Sequence, residues 1–283
     1  MDATLNSKEE KTMVVQHNLT AMNSNRMLNI TTTAQAKSTE KLSSGYKINR
    51  SADDAAGLAI SEKMRRQIKG LTQATANAQD GISCVQTAEG ALGEVTDMLQ
   101  RMSEISIKAE NGTLTTSDRS YIDSEVTALK TEINRVQGST TFNEQKLLDG
   151  SFTGKDLQVG SENNTQQRIA ISIDKMSTSA LGLTGDVTSA ANAGTFNGVI
   201  KTALEKVSKQ RSDLGAVQNR LEHTVNNLKN VVENTTSAES AIRDTDMASE
   251  MVKYSNNNIL SQAGQAMLAQ ANQSNQGVLS LLG

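Results

Sequence analysis

The sequence predicts a mainly α-helical fold: an elongated antiparallel helical bundle or coiled coil with a small β-hairpin region in the middle of the chain. Three observations carry this reading. Proline is absent from all 283 residues, where ordinary usage would place about fourteen, so the chain has few sharp turns or tolerates none. Aromatic residues make up 2%, which excludes an ordinary large core built on Phe, Tyr and Trp. Apolar residues recur in a heptad rhythm on both sides of a middle region rich in Gly, Ser, Thr and Asn.

Residues 1–12 are polar and aperiodic, and their origin stays open between an upstream start, an unprocessed leader and a cloning remnant. Residues 14–44 read as a helix with a thin apolar stripe. The first long seam runs through Met64, Ile68, Leu71, Thr75, Ala78, Ile82 and Val85. A three-residue step then leads to Ala88, and Leu92, Val95, Leu99 and Met102 resume the rhythm; such a step resembles a stammer, which overwinds a supercoil. A continuous helix over residues 58–106 would be roughly 70 Å long. Tyr121, Ile122, Val126, Leu129, Ile133 and Val136 have helical spacing behind an N-cap signal at Thr116-Ser117-Asp118.

In the middle, residues 156–160 and 168–174 read as the two strands of a hairpin. Ile169, Ile171 and Ile173 share one face, and Ser161-Glu162-Asn163-Asn164-Thr165 supplies the turn. The second seam follows Ile200, Leu204, Val207, Arg211, Leu214, Gln218, Leu221, Val225, Leu228 and Val232, with Arg211 and Gln218 as polar interruptions that fix register. Two long seams separated by a compact middle bury each other best by folding back antiparallel. Residues 248–282 are again helical, their stripe diluted by Asn and Gln. Such thin stripes bury too little to offset a backbone entropy of about 1–2 kcal/mol per residue, so both ends are expected to order only against a partner surface, most economically other copies of the chain.

Little in the sequence points to chemistry. A formal charge of −3 gives no field for gathering nucleic acid or anionic lipid, and no apolar run approaches the ~18 residues that cross a bilayer. His17 and His223 lie in different arms without a carboxylate cluster. Cys84, beside Ile82 and Val85, reads as a small hydrophobe. Asp53-Asp54 and the Asp123/Glu125 pair read as caps or solvated faces, and no metal or cofactor motif occurs. The chain is therefore expected not to be an enzyme.

Several ordered motifs carry a family resemblance. Lys41-Leu42-Ser43-Ser44-Gly45-Tyr46-Lys47-Ile48-Asn49 and Ala52-Asp53-Asp54-Ala55-Ala56-Gly57-Leu58-Ala59-Ile60 resemble the N-terminal signature of bacterial flagellin. Gln86-Thr87-Ala88-Glu89-Gly90-Ala91-Leu92 and Leu99-Gln100-Arg101-Met102 continue it, and Arg211-Ser212-Asp213-Leu214-Gly215-Ala216-Val217-Gln218-Asn219-Arg220 is similar to the matching C-terminal motif. The run from Ala269-Gln270-Ala271-Asn272-Gln273 to Val278-Leu279-Ser280-Leu281-Leu282 resembles the family's last helix. Only residues 138–198 are available for an outer domain, so the chain resembles a minimal form.

The resemblance implies a structural subunit that polymerises into the flagellar filament for motility. It implies an inner coiled-coil domain from residues 13–45 and 244–283, a helical rod from 46–141 and 199–243, and the hairpin and loop region at 142–198. Val278, Leu279, Leu281 and Leu282 are then expected to serve filament assembly. It further implies an extracellular filament location reached without a cleavable signal peptide, through the flagellar type III export apparatus. The implied partners are an export chaperone, the filament cap and hook-junction proteins, and the vertebrate Toll-like receptor for flagellin, contacted at Gln100, Arg101, Ile105 and Glu125. No cofactor, nucleic-acid partner or membrane partner is implied. Two other readings share the architecture: a hook–filament junction protein on the same rod and, from a different class, a cytosolic helical-hairpin signalling protein.

Overall fold

The computed structural model describes residues 17–282, and at 275 and 278–282 the backbone alone. The expected mainly α fold is what the structure contains: six α-helices and two small antiparallel strand pairs among the described residues. The extension at residues 1–12 lies outside them. The chain divides into two compact units, one of residues 1–63 with 237–283 and one of residues 64–236.

The second unit holds the core. Helix α2 (Ala55–Glu110) and helix α5 (Ala190–Arg243) run antiparallel within it. Ser106 Oγ donates to the Ala193 carbonyl at 2.8 Å, Arg211 pairs with Glu89 at 3.3 Å, and Leu71 and Ala74 pack with Leu228. Helix α3 (Thr116–Ser139) packs Val126 and Ile133 into the same core. Its N-cap is Thr115, one residue ahead of the expected signal, closed by a reciprocal capping box with Asp118. Tyr121, expected on the buried stripe, is 74% exposed, because the stripe that packs begins at Ile122.

The seam of α2 differs from the expected one. Leu71, Ala74, Ala78, Gly81, Val85, Ala88, Leu92, Val95, Leu99, Met102, Ser106 and Ala109 are buried, an unbroken alternation of three- and four-residue steps. There is no stammer at Ala88. Thr75 and Ile82 sit half-buried beside the seam, and Ala74 and Gly81 occupy it. The reason is steric: a Cβ at Gly81 would collide with Leu157, and one at Gly70 would stand 2.8 Å from Ser161 Cβ, so the helix is smooth where the β segment crosses it. In α5 the seam likewise takes Ala203 and Gln210 instead of Leu204 and Arg211. Gln210 is the polar seam residue, and both ends of its amide are used. Its Nε2 donates to the Ser172 carbonyl at 3.0 Å, and its Oε1 accepts from the Asp174 amide at 3.3 Å.

The expected hairpin is present as strands β3 (Lys155–Gln158) and β4 (Arg168–Ile171), counted after a shorter pair, β1 (Thr141–Phe142) with β2 (Gln145–Lys146). Ile169, Ile171 and Ile173 are buried while Ala170 and Ser172 are exposed, so the alternation faces the core as read. The β1–β2 turn places Asn143 and Glu144 at positive φ, a conformation the sequence does not advertise with glycine. Helix α4 (Thr178–Leu181) follows, and α5 then begins at Ala190, ahead of the expected residue 199. Gly194 and Gly198 disguise that first stretch, but burial of Ala193 and Phe196 outweighs their low helix propensity.

The first unit pairs helix α1 (Leu19–Ser44) with helix α6 (Met247–Leu282), also antiparallel. Asn18 Nδ2 donates to the Ala271 carbonyl at 3.0 Å, Gly264 lies under Leu28, and Ser38 Oγ donates to Glu250 Oε1 at 2.7 Å. The stretches beyond the two helices are tied together. Gly45 caps α1 in the left-handed region at φ 76°, Thr245 donates to the Gly45 carbonyl at 3.0 Å, and the Arg243 guanidinium stacks 4.5 Å over Tyr46 while pairing with Glu62 at 3.0 Å. Asp53 accepts from the amides of Asn49 and Arg50, and Asp54 from that of Gly57, so these carboxylates act as caps.

Candidate assembly and recognition surfaces

The α1/α6 pair is unusual in what it leaves outside. Among the described residues, the first unit buries two apolar side chains, Ile48 and Ala271. Its remaining interior is polar or small, namely Ser38, Gly57, Ser61, Glu250 and Ser261. Leu19, Met22, Met27 and Ile30 of α1 and Met247, Met251, Val252, Ile259, Leu260 and Met267 of α6 are all about half to two-thirds exposed. On α1, Leu19, Met22 and Ile30 are spaced to share one helical face. Ser38, whose hydroxyl reaches α6, stands on a different face by the same spacing. Each helix therefore has a second apolar face that its partner does not cover. Val278, Leu279, Leu281 and Leu282, the expected assembly cluster, have side chains outside the described residues.

Glu250 ties the two helices together through the Ser38 hydroxyl. Its carboxylate is buried, and the Ser38 hydroxyl holds its pKa below the ordinary glutamate value, with Lys253 and Lys41 adding to the effect against the cost of burial. A lowered folded pKa contributes stability above the ordinary value, and that contribution disappears as pH falls through the lower folded one. Helix pairing in this unit is therefore expected to weaken as the pH falls below the ordinary glutamate range. The Glu250→Gln chain is expected to lose most of that dependence; amide exchange of α1 and α6 against pH reads both.

In the second unit Arg101 lies between two carboxylates. Its Nε and Nη2 donate to Glu125 Oε1 at 3.1 and 2.9 Å, and Nη1 donates to Glu104 Oε2 at 3.3 Å. Gln100, Arg101 and Glu125 are exposed, and α2 and α3 bring them together as a charged ridge. Ile105 is a correction. It is 3% exposed and belongs to the core cluster, so it offers no contact to an outside partner. Spacing of four residues places it near Arg101 along the helix, but α3 and α5 cover that side. The neighbouring apolar residue that does face out is Ile107.

Cys84 is buried against Val85 and Ala88 and borders a cavity of about 250 Å³ shared with Phe142, Phe152, Leu157 and Ile171. Burial raises its thiol pKa, which keeps the reactive thiolate scarce. Cys84→Ala is expected to cost about 1–2 kcal/mol and to leave assembly unchanged, and thiol-reagent labelling of folded protein is expected to be slow. Rapid labelling, or dimers lost on reduction, would contradict a packing role. His17 and His223 are exposed, and no cluster of metal-ligating groups occurs among the described residues. None of the described helices is long and apolar enough to cross a membrane.

Residues 15–153 match the family description Bacterial flagellin N-terminal helical region, and residues 198–282 match Bacterial flagellin C-terminal helical region. The chain belongs to the bacterial flagellin family. A flagellin of Halalkalibacterium halodurans is 50% identical over 273 residues, covering 95% of this chain and 100% of that protein. Flagellin FlaB2 of Treponema pallidum is 47% identical over 289 residues, again covering 95% of this chain and all of its own length. Among solved structures, Bacillus cereus flagellin aligns with 31% identity and a TM-score of 0.47, over 54% of this chain and 88% of that one. Flagellins are components of the flagellar filament, into which they self-assemble, and their role is structural rather than enzymatic. The junction-protein and signalling readings are not favoured.

Proposed function

We propose that this flagellin builds its filament through the uncovered faces of α1 and α6, extended by Val278, Leu279, Leu281 and Leu282. The observation that carries the reading is the exposure of ten large apolar side chains on two helices whose one buried apolar residue, among those described, is Ala271. Apolar surface of that extent is covered by association. In a filament the contacts are heterologous and do not close, so one copy's face meets a different face of the next. Residues 13–45 and 244–283 act as the inner coiled-coil domain, and 46–141 with 199–243 as the rod that carries the 142–198 region. Electron microscopy of the purified chain under polymerising conditions tests this: long tubes support it, and short oligomers alone would favour a junction protein.

Export unfolded through the type III apparatus takes the subunit to an extracellular filament. A chaperone on the C-terminal segment fits the same reading, because that segment's apolar face needs cover before assembly. Cap and hook-junction proteins meet the two ends of the filament. For a Toll-like receptor, the ridge of Gln100, Arg101 and Glu125 is the contact, with Arg101 as anchor, since a planar guanidinium pairs and stacks at once. Arg101→Ala is expected to weaken receptor binding by more than about 1 kcal/mol. A titration of both monomers reads this; equal affinities, or no binding by the unsubstituted chain, would refute it.

A further inference from the structure

The fold sorts its methionines by exposure. Of the 11 in the chain, Met1 and Met13 lie outside the described residues. Met102 and Met176 are buried in the second unit, and Met64 and Met98 are half-buried there. The other five, Met22 and Met27 on α1 and Met247, Met251 and Met267 on α6, are 49–63% exposed. Methionine is ordinarily among the buried residue types, and this concentration falls on the faces assigned above to assembly. The single cysteine is buried, so no accessible thiol competes with these sulfurs for an oxidant.

We propose that Met22, Met27, Met247, Met251 and Met267 form an oxidation site that controls addition of the subunit to its filament. The inference rests on the assembly reading. The oxidant class is a hydroperoxide, with hydrogen peroxide as the simplest member. A thioether lone pair attacks one peroxide oxygen, the S–O bond forms as the O–O bond breaks, and the leaving hydroxide takes up the other oxygen's proton to depart as water. Sulfur is oxidised by two electrons to the sulfoxide and the peroxide is reduced. Each sulfoxide replaces a flexible apolar side chain with a polar one on a surface that has to be dehydrated. Chains already in a filament have these sulfurs covered, so the site senses oxidant chiefly in the unassembled subunit.

The test treats purified full-length monomer with hydrogen peroxide, locates sulfoxides by peptide mass spectrometry, and measures growth on filament seeds. The expected result is one added oxygen at each of the five methionines and none at Met102 or Met176. The concentration needed for growth should rise about tenfold or more, and methionine sulfoxide reductases for both sulfoxide epimers, added together, should restore it. A chain with all five changed to leucine is expected to keep growing after the same treatment. Two controls separate the possible failures. If untreated Val252→Asp chain is blocked but fully oxidised chain grows normally, the oxidation site is wrong and the assembly face stands. If Val252→Asp chain also grows normally, both fall. Failure of the reductases to restore growth would place the damage elsewhere and overturn the proposal without relying on any variant.

Discussion

Phe196→Ala is expected to be among the most damaging single truncations in the chain, costing about 3–5 kcal/mol. Phe196 is 1% exposed and heads the fully buried side chains by volume. Its ring edge would stand 3.2 Å from a Cβ at Gly185, and Lys130 Nζ lies 4.6 Å from its centroid. Burial lowers the Lys130 pKa, which fits an ammonium partly withdrawn from water over that ring. Removing the ring therefore leaves a void and takes away the surface on which the ammonium sits. The effect is concentrated at the start of α5, where Gly194 and Gly198 give the helix little intrinsic preference to fall back on. Thermal melting followed by helical circular dichroism should fall by about 6–20 °C, with residues 190–199 losing amide protection first. Leu204→Ala serves as the comparison. Leu204 is half-buried, and its truncation is expected to cost well under the Phe196 value. Equal losses at the two positions would mean that the seam has been placed on the wrong residues.

That comparison also marks where the sequence stops being legible. Heptad spacing identifies the two long helices and their antiparallel pairing, because a period of three and four residues survives almost any choice of side chain. It does not say which of two adjacent residues faces inward. Leu204 outranks Ala203, and Ile82 outranks Gly81, on apolarity alone, yet the small residue occupies the seam in both cases. At Gly81 the selecting contact is Leu157, far away in sequence, and such a contact is invisible to any local pattern. The same blindness hid the first turns of α5 and the β1–β2 pair. Gly, Thr and Asn in those stretches resemble loop composition until the burial of Phe196, Leu147 and Leu148 is known.

The surfaces were legible to different degrees. Arg101 and Glu125 were matched as neighbours from separate helices by family resemblance, and the structure joins them in a hydrogen-bonded ion pair. The same resemblance implies Ile105 on that surface, and the packing of α2 against the rest of the core buries it instead. The thin stripes of the terminal helices were plain in the sequence. Their outward apolar faces were not, since exposure of Met22, Ile30 or Val252 is defined only once α1 and α6 have chosen which side to turn to each other.

Deleting residues 276–283 is expected to abolish filaments while leaving the monomer fold intact. The deletion removes Val278, Leu279, Leu281 and Leu282. The contacts that pair α1 with α6 lie upstream of it: Asn18 reaches Ala271, Leu28 covers Gly264, and Ser38 holds Glu250. The core of the second unit is formed within residues 64–236 and is untouched. A loss of assembly could then not be attributed to unfolding of the subunit, and would fall on contacts between copies. At about 1.5–3 kcal/mol for each fully buried aliphatic side chain, four such residues are worth up to about 6–12 kcal/mol per subunit. This is an upper bound, because a free chain already hides part of that surface. Even a quarter of it would raise the concentration required for growth by about tenfold or more. Sedimentation and electron microscopy of the truncated chain should therefore find monomer where the full chain gives tubes, and the circular dichroism melt of the second unit should be unchanged. Filaments of normal length from the truncated chain would remove these four residues from assembly and leave the outward faces of α1 and α6 to carry it alone.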